Sequence, residues 1–178
     1  MQKIIIASDI HGSAHWCAEL LSVFEHEGAD KLVLLGDLLY HGPRNDLPRE
    51  YNPKAVIGLL NPLKDKILAV KGNCESEVDS MVLSFNVESN FAAILMKNCS
   101  ILATHGHREI PPMAGFDILL CGHTHVPALE KRDGYIYVNP GSVSIPKEAS
   151  PHSYMTFDGK TLRWYDLNTV ECYMEYTL

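Results

Sequence analysis

The sequence predicts an α/β fold that runs on into antiparallel β structure. Three observations carry this. Short, continuous apolar runs at 3–7, 32–35 and 67–70 suit strands buried on both faces. Two stretches of helical periodicity separate those runs. Beyond residue 90, strand-like segments follow one another with turn signals between them.

The elements follow in order. After the isoleucine-rich first run, Ser13 is placed to cap a helix that Gly28 ends. Within it Cys17, Leu20, Leu21 and Phe24 share one face, while His15, Glu19, Ser22 and His26 share the other and are expected in solvent. The second run opens into a Gly/Pro-rich loop, 40–51, and then into Asn52-Pro53, a cap with proline at the first helical position. Ala55, Val56, Leu59, Leu60 and Leu63 give this second helix its apolar stripe. The third run completes a β-α-β-α-β series, which implies parallel strands joined by right-handed crossovers. Later strands are expected at 91–96, 100–103, 117–121, 126–131, 135–138, 154–157, 161–165 and 170–176. Arg132-Asp133-Gly134 and Asp158-Gly159-Lys160 read as hairpin turns.

A chain of 178 residues without repeats or linker-like composition reads as one domain, 1–178. A formal charge of −7 and the lack of a Lys/Arg-rich run argue against a polymeric nucleic-acid partner held by phosphate neutralisation. They leave room for a small phosphorylated substrate. No apolar stretch approaches the ~20 residues of a membrane span, and the opening run is too short for a signal segment. Five cysteines without a C-x-x-C pair do not make a disulfide framework, so a reducing cytoplasm is expected. Cys17 and Cys121 are expected in the core, His152 at the surface, and homo-oligomerisation is left open.

The chemistry lies at the ends of the apolar runs. These ends read Ser8-Asp9-Ile10-His11-Gly12, Gly36-Asp37, Gly72-Asn73, Thr104-His105-Gly106-His107 and Gly122-His123-Thr124-His125. Each pairs a glycine with a metal-capable side chain directly after an expected strand. Open α/β sheets bind ligands beyond the carboxyl ends of their strands, so the five ends can converge. On extended backbone, residues two apart point the same way, which pairs Asp9 with His11 and His123 with His125. Carboxylates, an amide oxygen and imidazoles without thiolates suit Mn²⁺, Fe²⁺ or Zn²⁺.

This ordered set resembles the calcineurin-like metallophosphoesterase family. His41-Gly42-Pro43-Arg44-Asn45, Gly72 to Glu77 and Asn139 to Lys147 narrow the resemblance to the small bacterial YfcE-type phosphodiesterases. The resemblance implies a four-layer αββα sandwich with two mixed β-sheets and helices outside. It implies that Asp9, His11, Asp37 and His125 hold one divalent ion and that Asp37, Asn73, His105 and His123 hold a second, with Asp37 bridging. Asp37, Asn73 and His105 are thereby assigned to catalysis as well. Mn²⁺ is the expected metal, with Fe²⁺, Zn²⁺ and Ni²⁺ as alternatives. The segment 108–116 departs from the family pattern, because Pro111-Pro112 reduces an expected helix to a turn.

The implied activity is metal-dependent hydrolysis of small or activated phosphate diesters, by in-line attack at phosphorus. Arg44 offers a bidentate clamp for phosphoryl oxygens, and His41 and Arg44 either line the substrate pocket or belong to a surface turn. Cys74 stands where many relatives carry a histidine; it either faces substrate or packs beside Val70. His107 either orients His105 or is a loop residue. Two rival functions remain at this stage: a phosphomonoesterase or nucleotidase on the same site, and a non-catalytic protein-interaction scaffold of the same fold. A filled ligand set favours the enzyme.

Overall fold

The three opening runs form strands because both of their faces meet an apolar layer. In this computed structural model, which describes residues 3–178, β1 (Ile4–Ala7), β2 (Lys31–Leu34) and β3 (Ile67–Ala69) are parallel neighbours. Along β1 the residues alternate in destination. Ile5 and Ala7 join one core with Cys17, Leu20 and Phe24 of α1 (Ala14–His26) and Val56 and Leu60 of α2 (Pro53–Leu60). Ile4 and Ile6 point the opposite way into a second core. Continuous apolar character is therefore what period-two alternation between two buried faces requires. Both helices begin as expected, with Ser13 Oγ accepting from Trp16 N and Asn52 Oδ1 from Ala55 N.

Three antiparallel strands, β9 (Ser153–Phe157), β10 (Thr161–Asp166) and β11 (Cys172–Thr177), extend that sheet to the order β11-β10-β9-β1-β2-β3. The second sheet holds β4 (Phe91–Met96), β5 (Cys99–Thr104), β6 (Ile118–Leu120), β7 (Pro127–Arg132) and β8 (Tyr135–Pro140) in the order β4-β5-β6-β8-β7. β5, β6 and β8 run parallel, with antiparallel strands at both edges. The second core joins the sheets: Ile4, Ile6, Val33 and Leu35 pack with Ile101, Ala103, Ile118, Leu120 and Val138. The expected mixed two-sheet sandwich is thus formed. On the outer face of the second sheet, Leu102, Leu119 and Cys121 are covered by Ile110, Met113 and Phe116. This layer is irregular chain rather than helix, as the double proline requires.

The sequence reading missed α3 (Glu77–Val82), which starts from a Ser76/Asp79 capping box. Val78, Met81 and Val82 are exposed, so no apolar stripe announced it. Val170, expected in the last strand, has φ +58 and lies in the turn before it. His152 is not a free surface residue. Its ring stacks on Trp16 at 3.7 Å and its Nδ1–H donates to the Val143 carbonyl. His15 is likewise half-covered, edge-on to the same indole at 4.7 Å, whereas His26 is exposed.

Trp164 is fully buried between the sheets and its Nε1–H donates to the Asn139 carbonyl at 2.8 Å. Trp164→Phe removes that donor and opens a void. It should cost about 2 kcal/mol, read as a lower urea midpoint at unchanged slope.

Candidate metal centre

Five strand ends bring the expected ligands together: β1 and β2 lead into Asp9 and Asp37, β3 into Asn73, β5 into His105 and β6 into His123. The backbone differs from the extended pairing that the sequence suggested. Asp9, His11, Asp37, His123 and His125 all have positive φ, at 59°, 48°, 56°, 69° and 64°. Left-handed backbone costs a non-glycine residue about 1–3 kcal/mol and turns each side chain sharply off its strand. Interlocking loops hold these turns. Asp9 N donates to Gly36 O, His11 N to Asp37 O and Gly12 N to Leu38 O. Ser142 Oγ and Ser144 Oγ both donate to Asp9 O. The neighbouring glycines permit this closeness. A Cβ on Gly72 would lie 2.1 Å from Asp37 Oδ1, and one on Gly122 would lie 2.0 Å from Ser8 Oγ.

Ring orientation decides what the site can hold. His11 Nδ1 faces the Tyr40 carbonyl at 2.8 Å, His125 Nδ1 the Ile145 carbonyl at 2.6 Å and His105 Nδ1 the Leu35 carbonyl at 2.6 Å. A carbonyl only accepts, so each Nδ1 carries the proton and each neutral ring offers a lone pair at Nε2. Those lone pairs meet further acceptors. His11 Nε2 lies 3.2 Å from His125 Nε2, and Asp9 Oδ1 lies 3.6 and 3.2 Å from the two. Asp9 Oδ1 is buried and, among the described residues, has no hydrogen-bond partner. On the other side, His105 Nε2 lies 3.1 Å from Asn73 Oδ1 and 3.5 Å from Asp37 Oδ1. Asp37 Oδ2 reaches the first group, 3.7 Å from His11 Nε2. Acceptors without donors are reconciled by protonating rings or by binding cations. The residues present therefore fit two divalent ions flanking Asp37, a hard-oxygen and imidazole donor set.

The protonation balance without ions makes the same point. Burial opposes ionisation of Asp9, but the adjacent His11 and His125 rings hold its acid well below the usual range. Asp37 is also lowered, with His105 outweighing burial. Burial pulls His11 and His105 down, yet Asp9 and Asp37 prevail, raising His11 and pushing His105 up to about 9. His123, partly buried beside His105, is lowered.

A cavity of about 480 Å³ opens over Asp37, Asn73, His123 and His125. Arg44 and Cys74 line it. His41 does not. Its ring packs edge-on to Tyr40 and Tyr51, and its carbonyl accepts from Asn45 Nδ2. His107 does not orient His105, whose Nδ1 is already taken by Leu35. It accepts from Arg108 Nε and sits edge-on to His105 at 5.3 Å. Asn45, Thr124 and Lys147 also line the cavity. Only the stretch from Asn139 to Lys147 gave a signal for the last of them. Glu75 is buried beneath Asp37, a placement that the Gly72 to Glu77 motif does not reveal.

The profile of the calcineurin-like phosphoesterase superfamily domain matches residues 2–162. Phosphodiesterase YfcE of Escherichia coli (strain K12) is 44% identical over 172 residues, 94% of each chain. The solved structure of YfcE, described as a phosphoesterase from E. coli, aligns with a TM-score of 0.94 at 41% identity over 99% of each chain. Vacuolar Protein Sorting 29 from Cryptosporidium parvum shares the fold, with a TM-score of 0.68 at 17% identity over 99% of this chain and 98% of that one.

The raised His11 and His105 values set a pH dependence. A group whose pKa rises on folding stabilises the fold fully below its unfolded value, here about 6.5. That contribution is lost as pH climbs through the folded value, about 9 for His105. Metal binding needs neutral rings and reverses the trend. Chelator-treated protein should lose Tm between pH 6.5 and 9 by scanning calorimetry, and Mn²⁺-loaded protein should not. A metal-free Tm that climbs over this range would contradict the assignment.

Proposed function

The chain belongs to the calcineurin-like phosphoesterase superfamily, and from there we propose a metal-dependent phosphodiesterase acting on small or activated phosphate esters. The observation that carries it is the Asp37 carboxylate, whose two oxygens face His105 and His11, beside the buried Asp9 Oδ1 that has no hydrogen-bond partner among the described residues. In this reading Asp9, His11, Asp37 and His125 hold one ion, and Asp37, Asn73, His105 and His123 the other. Asp37, Asn73 and His105 are also assigned to catalysis. Mn²⁺ is the proposed metal and the cytoplasm the proposed setting. Two such ions would supply Lewis acidity and a water-derived nucleophile at neutral pH, so the chain needs no serine or cysteine nucleophile.

The remaining residues bind and orient. Arg44 and Lys147, exposed on opposite loops of the cavity, bring positive charge to phosphoryl oxygens. Asn73 Nδ2 donates to Cys74 Sγ at 3.2 Å, which turns the Asn73 amide oxygen toward His105 and the metal position. Cys74 itself lies at the cavity wall. Burial and the charges of Asp37 and Glu75 push its thiol up, so it stays neutral. A neutral thiol is a weak hydrogen-bond donor and brings no positive charge to a substrate dianion. That favours diesters, with one negative charge and a good leaving group, over alkyl monoesters. A protein-contact scaffold would gain nothing from a buried set of donorless acceptors, which costs stability unless an ion fills it.

The test compares mono- and diesters bearing the same nitrophenolate leaving group, assayed with Mn²⁺. The parent should prefer the diester, and Cys74→Ala should keep most diester hydrolysis. Cys74→His should raise monoester relative to diester turnover. A parent that prefers the monoester, or a collapse of diester hydrolysis in Cys74→Ala, would overturn the reading.

A further inference from the structure

Glu75 is buried behind the central carboxylate, and the hydrogen bonds its own carboxylate accepts come only from backbone. Oε2 accepts from Asp37 N at 3.0 Å and from Gly72 N, and Oε1 accepts from Leu38 N at 2.7 Å. Asp37 is left-handed at φ 56. Successive N–H groups at such a turn can aim at one point, a concavity that takes an anion. Here a side chain from the next strand-end loop fills the concavity. The same loop grips Asp37 a second time, since Cys74 N donates to Asp37 Oδ1 at 2.9 Å.

Glu75 is itself mounted rigidly. The following residue is the N-cap of α3, with Ser76 Oγ donating to Asp79 Oδ1 at 2.8 Å. The far end of the helix is tied to Asn61, which donates to Val82 O and accepts from Ser84 N. Three N–H donors need acceptors on both carboxylate oxygens. A carboxamide has one oxygen, and its NH₂ would face at least one N–H.

We infer that Glu75 is a positioning residue for the metal centre: it clamps the left-handed turn of Asp37 so that this carboxylate stands between the two ion positions. The inference rests on the dinuclear reading of the site. It places a function on a residue that touches neither ion nor substrate. Loosening the turn would release Asp37 toward ordinary backbone and spoil the geometry for both ions at once.

The test titrates chelator-stripped protein with Mn²⁺ by calorimetry, beside metal-free melting, for the parent, Glu75→Gln, Glu75→Asp and Asp79→Asn. Glu75→Gln should bind Mn²⁺ at least tenfold more weakly. Glu75→Asp keeps both oxygens and should stay within threefold of the parent. Asp79→Asn removes the charge from the capping box and weakens it without touching Asp37, so it should lower the metal-free Tm yet leave Mn²⁺ affinity within threefold. A Glu75→Gln affinity within threefold of the parent overturns the inference, as does an equal loss in Asp79→Asn, which would mean a purely structural role. Should Glu75→Gln not fold, Glu75→Asp and Asp79→Asn still decide it, because a tenfold loss in either overturns it. A parent that binds no Mn²⁺ would instead remove the dinuclear reading itself.

Discussion

Asp9 Oδ1 and the Nε2 atoms of His11 and His125 lie within 3.6 Å of one another in a nearly closed site, and as long as the rings are neutral none of the three atoms carries a donor. Such a gathering of acceptors is costly. A single unsatisfied buried polar group costs about 1–3 kcal/mol, and a charged one more. The left-handed backbone at five of the seven expected ligands adds to the cost. Without ions, protons on the rings relieve it; divalent cations would take their place. Much of the surrounding structure keeps these atoms from moving apart: the loop ladder from Asp9 to Gly12 against Gly36 to Leu38, and the two serines on Asp9 O.

The hydrogen bonds that orient the imidazoles also build the substrate cavity. His11 Nδ1 is tied to the Tyr40 carbonyl, where the loop bearing Arg44 begins. His125 Nδ1 is tied to Ile145 O, and His125 O accepts from Lys147 N. Both cation-bearing walls are thereby fixed to the rings beneath them. Binding of the ions and shaping of the wall are one mechanical unit, and a change in ring orientation reaches Arg44 and Lys147 directly.

The strand ends were legible because burial on both faces makes a continuous apolar run, and a glycine beside Asp, Asn or His breaks it abruptly. Ile6 and Val33 against Ile5 and Leu32 show why the runs carry no polar alternation: each face has its own core. The two-sheet arrangement came from family resemblance, since period two does not say which sheet a strand joins. Less visible were features set by tertiary context. The left-handed turns at Asp9 and His123 depend on loops distant in sequence, so the extended pairing was the wrong local geometry. His41 looked like pocket material because it adjoins Arg44, yet Tyr51 draws its ring away. Glu75 reads as one more surface acid until its three backbone donors are seen.

The central claim is that two ions flank Asp37. Crystals grown from chelator-treated protein and soaked in Mn²⁺, measured for anomalous scattering, test it directly. The account predicts two peaks, one beside Asp9, His11 and His125 and the other beside Asn73, His105 and His123, with Asp37 between them. A single peak, or an ion seated on the Cys74 sulfur away from Asp37, would contradict it.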